Sequence, residues 1–140
     1  MRKKEEKAAK SPPFYVLDSE ALSLAVRGDR RMLIRFELAA RREAAIVTSP
    51  MALIGAYDGR TTEQRWDWIL SRIHVIGIGK DEARAARRLL ADAGLHGHEH
   101  AIDAVLAVIA RSLKGEVTVL TSDVGDLEKL VPKRILVRRV

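Results

Sequence analysis

The stretch Val117 to Leu127, VTVLTSDVGDL, decides how the rest of the chain is read. Val117 to Thr121 are strand-favouring residues, and they run straight into Ser122 and Asp123, with Asp126 three residues further on. Strands buried on both faces read as near-continuous apolar runs. Open parallel sheets bind ligands outside the carboxyl ends of their strands, where loops leave and side chains converge. A buried strand that closes on carboxylates therefore predicts a sheet whose carboxyl edge carries a site.

Earlier in the chain the pattern recurs. FYVLD, Phe14 to Asp18, is a short apolar run that also ends on an acid; AAIVTS, Ala44 to Ser49, HVIGI, His74 to Ile78, and RILVRRV at the end are further strands. Between them, SEALSLAVRGD is a short helix with Ser19 near its start and Gly28 as its stop. DRRMLIRFELAARREA places Met32, Leu33, Phe36, Ala39 and Ala40 at helical spacing. Pro50 suits the first turn of PMALIGAY, and Thr61 or Thr62 caps TTEQRWDWILSR. DEARAARRLLADAG stops at Gly94, EHAIDAVLAVIARSLKG stops at Gly115, and VGDLEKLV is a short helix before the final strand. Strands alternating with helices predict an α/β fold, a three-layer α/β/α sandwich around a mostly parallel central sheet.

On that scaffold Asp18 and Asp123 fall on one rim. Each also precedes a helical segment and so suits an N-cap equally well. Asp103 interrupts the apolar run AIDAVLAVIA and shares a helix face with Leu106, Ala107 and Ala110. A carboxylate there is costly unless it is paired, with a buried Arg for example, or holds a metal. Convergent carboxylates suit a hard cation such as Mg²⁺ or Mn²⁺, which can promote phosphodiester hydrolysis.

The chain's 140 residues and lack of duplication fit one domain. Residues 1–13 read as a flexible basic tail, ending at Pro12-Pro13, and 14–140 as the folded domain. There are no cysteines, which excludes disulfides and thiolate chemistry and agrees with a reducing compartment. With no signal-peptide pattern and no run of roughly 18 apolar residues, the expectation is a cytoplasmic protein that does not enter a membrane. Net charge is +6, from 25 Lys+Arg against 19 Asp+Glu. That excess favours a polyanionic partner, or is a solvated surface.

Two lesser signals are weighed against blander readings. HGHEH gathers His96, His98 and His100, but the alternate spacing at a loop-to-helix junction lacks the spacing of a helical zinc motif and reads as surface loop. Trp66 and Trp68 lie two apart on a helix and cannot share a face, so one belongs to the core and the other to an exposed or partner-facing position.

With FYVLDSEAL, AIDAVLAVIA and VTVLTSDVGDL in this order, the chain resembles the PIN-domain nucleases, in particular the VapC-type toxins of prokaryotic toxin–antitoxin pairs. The likeness runs from Phe14 to Val140. It implies a PIN-like three-layer fold, Mg²⁺- or Mn²⁺-dependent cleavage of RNA, a homodimer, and silencing by a small antitoxin protein. Carried over residue by residue, it implies that Asp18, Asp103 and Asp123 are the catalytic, metal-holding acids. Asp126 matches a further acid found in some members, and Thr121 or Ser122 the hydroxyl beside it. One position departs from the pattern. Members usually carry a Glu on the helix after the second strand, and in TSPMALIGAYDG that place is apolar, at Ile54 or a neighbour. Glu99, one helical turn before Asp103, is an auxiliary acid that could stand in. The competing expectation is a degenerate PIN-like module that binds RNA or a protein partner without cutting.

Overall fold

The computed structural model describes residues 12–140, so the basic lead-in expected before Pro12 lies outside the described residues. Its strands are β1 (Phe14–Leu17), β2 (Ala45–Thr48), β3 (His74–Val75), β4 (Val117–Thr121) and β5 (Leu136–Arg139). They form one sheet in the order β3-β2-β1-β4-β5, and each neighbouring pair is parallel. The mostly parallel sheet expected from the sequence is parallel throughout. Leu17 at the end of β1 sits level with Thr48 of β2 and Leu120 of β4. The three central strands therefore finish together and share a carboxyl edge.

Seven helices connect them: α1 (Ser19–Val26), α2 (Arg30–Ala40), α3 (Pro50–Gly55), α4 (Glu63–Leu70), α5 (Lys80–Ala93), α6 (Gly97–Ser112) and α7 (Val124–Glu128). The period-2 alternation of a strand sends its side chains to opposite faces, and the core divides accordingly. Leu17, Ile46 and Leu120 pack with Leu22, Met32, Phe36, Trp66 and Ile69 from α1, α2 and α4. Val16, Val47 and Val119 pack with Leu106 and Ile109 of α6 and Leu127 of α7. Ala86 and Leu90 of α5 join Ala104 and Ala107 of α6 in a third cluster, so α5 reaches the sheet only through α6. Each fully buried Leu, Ile or Phe stabilises this arrangement by about 1.5–3 kcal/mol relative to exposure. The result is the three-layer sandwich.

Side-chain caps set several boundaries. Asp29 Oδ2 accepts from the Met32 amide at 3.1 Å, Ser49 Oγ from Ala52 at 2.9 Å, and Thr62 Oγ1 from Arg65 at 3.1 Å. Gly94 ends α5 in the left-handed conformation, φ 69°. Two elements are shorter than the sequence pattern. The third strand keeps only His74 and Val75, because on the sheet edge it has one partner, and Ile76 and Ile78 turn inward to the α6 side instead. The helix expected to run to Gly115 ends at Ser112, where Leu113 turns extended at ψ 139°. No helix among the described residues is long and apolar enough to cross a membrane.

Candidate metal centre

From β1 the chain builds outward through β2 to β3, then crosses back to place β4 on the other side of β1. The strand order reverses between β1 and β4, and at such a switch point connecting loops diverge and leave a crevice at the carboxyl edge. Asp18 follows β1 and Asp123 follows β4 by two residues, so both acids stand at its mouth. A cleft of about 320 Å³ opens here, lined by Asp18, Ser19, Glu20, Glu99, Ile102, Asp103, Ser122 and Asp123.

Asp18 is 7% exposed and its carboxylate is doubly held. Oδ1 accepts from the Ala21 amide at 2.8 Å and Oδ2 from the Ser122 amide at 3.0 Å. The cap reading is thus correct, and the same side chain fastens the β4 loop to the β1 loop while facing the cleft. Thr121 is fully buried, and its hydroxyl oxygen accepts from the Asp123 amide at 2.8 Å, shaping the loop that presents the acid. Ser122 is exposed on the cleft wall, and its carbonyl accepts from the Arg139 guanidinium at 2.9 Å. Asp123 sits at the N-cap position of α7 without making a side-chain cap bond, which leaves its carboxylate free toward the cleft. Burial first, and the neighbouring Asp126 second, hold Asp123 above the usual carboxylate range.

Asp103 projects from α6 among these groups with its side chain 18% exposed. Burial pushes its carboxyl up to about 6, helped by the charges of Asp123, Asp126 and Asp18 and opposed by His100. Among the described residues no Arg pairs with it. The group nearest to a partner is His100, whose Nδ1 lies 4.0 Å from Asp103 Oδ2 and 3.3 Å from Asp126 Oδ2. Ligand atoms of His100, Asp103 and Asp126 all fall within 4.8 Å of one another, the one set of three or more among the described residues to do so. His100 Nδ1 is buried and has no hydrogen-bond partner. This donor set suits a divalent cation: carboxylate oxygens for a hard ion, an imidazole nitrogen lacking any other partner, and in Asp103 a raised carboxyl that a positive charge would relieve.

The structure corrects the reading of HGHEH as surface loop. His98 and His100 lie inside α6, which begins at Gly97, and His100 stands one turn before Asp103 on its inward face. The i,i+3 spacing from Asp103 was the signal available in the sequence, since EHAIDAVLAVIARSLKG already holds both residues, but His100 was grouped with the histidines of the loop. Glu20, in the first turn of α1, is a second cleft acid the sequence reading did not single out; it pairs with Arg27 at 3.3 Å. Glu99 is exposed at the cleft wall and outside the tight set.

Ile54 is 72% exposed, whereas Gly55 faces α1: a Cβ there would lie 2.6 Å from Ser19 Oγ. Ser19 Oγ in turn donates to the Ala52 carbonyl at 3.2 Å. Gly55, the neighbour of Ile54, is thus a point where α3 abuts the helix that follows Asp18. Away from the cleft, Trp66 is buried, while Trp68 is half-buried, stacked near Phe36 with ring centroids 6.2 Å apart and with Arg72 4.2 Å from its ring.

No protein-family model and no curated protein matches the sequence. Among solved structures, a chain of VapBC2 from Rickettsia felis, bound to a DNA fragment from their promoter, superposes with a TM-score of 0.62 at 16% identity. The match covers 91% of this chain and 98% of that one. This likeness shows the fold, which is PIN-like.

Proposed function

We propose that this chain is a divalent-metal-dependent endoribonuclease of the VapC type, held in check by a small antitoxin and working as a homodimer. The observation that carries the reading is the convergence of Asp18, Asp103 and Asp123 at one strand-end cleft, with Asp126 close enough to act on Asp103 and Asp123, in a chain of net charge +6. An acidic pocket repels a phosphodiester unless a cation stands between them. Mg²⁺ or Mn²⁺, when bound, would neutralise phosphoryl charge and lower the pKa of water.

The chain's own groups have separable tasks. Asp18, fixed by two backbone amides, is a rigid negative pole that positions the ion. Asp103 and Asp126 supply the inner oxygen donors. Asp123, at the mouth, with no cap bond and a raised pKa, would take the proton released as water adds to phosphorus, while the P–O bond to the leaving ribose breaks and its departing oxygen is protonated by solvent water. Ser122 through its amide to Asp18, and Thr121 through its hydroxyl oxygen to the Asp123 amide, shape the loop that carries Asp123. The remaining cationic surface holds the flanking phosphates. The partner is taken from the VapBC2 assembly to which the fold is similar.

One observation favours a second reading. With no acid on α3 (Pro50–Gly55), where the resemblance calls for one, the domain could bind RNA or a protein without cutting. Incubating a structured RNA pool with purified protein and Mg²⁺, Mn²⁺ or EDTA separates the two. We expect metal-dependent cuts that vanish in Asp123→Asn, a variant with no cap bond to lose, and in Asp18→Asn. Binding without cuts at any metal concentration, from folded protein, would replace the nuclease by the binding module.

A further inference from the structure

We infer that His100 is a protein ligand of the cation through Nδ1, and that with Asp103 and Asp126 it forms a one-nitrogen, two-carboxylate set that holds Mn²⁺ in preference to Mg²⁺. This rests on the cleft being a cation site, and not on RNA being cut there. His100, Asp103 and Asp126 already keep their ligand atoms within 4.8 Å of one another. Two atoms bound to one ion at about 2.1 Å can be no more than roughly 4.2 Å apart. Closing the set around an ion therefore asks for movements of about half an ångström, well within the reach of side-chain rotation.

The imidazole has no competing task. Nδ1 is buried yet makes no hydrogen bond, although Asp126 Oδ2 lies 3.3 Å away. A buried polar atom without a partner is destabilising, and a cation placed between the nitrogen and the two carboxylates removes that cost. The other cation near Asp126 is Lys129, 4.0 Å away and 58% exposed, too distant and too wet to replace an ion. Both frames that carry the set are fixed. Asp103 and His100 share α6, which is buried beside them through Ala104 and Ala107, and Asp126 is followed by the fully buried Leu127 of α7.

Metal preference follows from the donors. Mg²⁺ favours oxygen ligands and retains its waters. Imidazole suits transition ions, and along the divalent series Mn²⁺ is the first of these. Carboxylates alone would accept either ion, so the single nitrogen separates them.

The test uses the full chain and the metals alone. Mn²⁺ and Mg²⁺ affinities are measured by calorimetry for the native protein, His100→Leu and His100→Asn, with circular dichroism as the folding check. Pulsed electron paramagnetic resonance of bound Mn²⁺ reads nitrogen coupling directly. Loss of an outer-shell partner already weakens metal binding about 10–100-fold, so both variants should lose at least ~10-fold in Mn²⁺ affinity, keep Mg²⁺ affinity nearly unchanged, and lose a nitrogen coupling present in the native protein. A His100 that serves as a cation paired with Asp126 gives the opposite sign, because its removal leaves Mn²⁺ binding equal or stronger; that result, or native Mn²⁺ without nitrogen coupling, overturns the inference. Either could occur in a protein that cuts RNA, so such a failure leaves the nuclease reading standing. Native protein that binds neither ion would overturn both.

Discussion

At the scale of single residues, the chemistry is concentrated in Asp103. Its folded-state pKa of about 6 exceeds the ordinary 3.8, chiefly through burial and then through Asp123, Asp126 and Asp18. The folded state thus binds that proton more tightly than the unfolded chain. The stabilising contribution is fully present below 3.8 and is lost as pH rises through the folded value. Asp103→Asn should accordingly stabilise the metal-free protein at neutral pH, by up to ~3 kcal/mol, and change it little near pH 4. Urea melts in EDTA at the two pH values measure this, and equal effects at both would refute the electrostatic origin. Asp103 was legible in the sequence because a charge breaking an apolar helical period has no cheap explanation. His100 was not, since a histidine among surface-like neighbours acquires meaning only when Asp126, from another element, arrives beside it.

At the scale of elements, the carboxyl edge is held by short-range locks between loops and helix starts. Thr48 Oγ1 donates to the Leu17 carbonyl at 2.7 Å, binding β2 to β1 where both strands end. Ser19 and Gly55 form the closest approach of α1 and α3. Adding a methyl at Gly55 displaces Ser19 Oγ from its bond to the Ala52 carbonyl, a loss of about 1 kcal/mol. Gly55→Ala should therefore be better tolerated, by ~1 kcal/mol, in a Ser19→Ala background than in the native chain. A double-mutant cycle by chemical denaturation reads the coupling; additivity would show that the two helices do not press on each other there. Helix starts were largely readable from Asp, Ser and Thr, because a cap is a contact within three residues. Strand length was less so: HVIGI has the composition of a full strand, and its truncation after Val75 reflects an edge position that composition does not encode.

At the scale of the whole molecule, charge and topology combine. Residues 1–10 contribute five basic side chains against Glu5 and Glu6, half of the net +6. If the basic excess faces RNA, association measured in EDTA should weaken with salt, with a log–log slope near −0.7 for each single-strand phosphate contacted. Deleting residues 1–11 should make that slope shallower. A slope that is flat, or unmoved by the deletion, would assign the charge to solvation alone.

The sequence by itself determined the α/β class, the alternation of elements, the separate identities of Asp18, Asp103 and Asp123, and the apolar character of the place after β2, because each is written in periodicity, capping or spacing within one segment. Only the tertiary structure decided that β1 and β4 are neighbours, which set Asp18 against the Ser122 amide 104 residues away. It likewise decided that His100 meets Asp126 and that Gly55 meets Ser19. Those pairings depend on the strand order and on how helices pack across it, and a contact between distant segments leaves no local pattern from which a single sequence can be read.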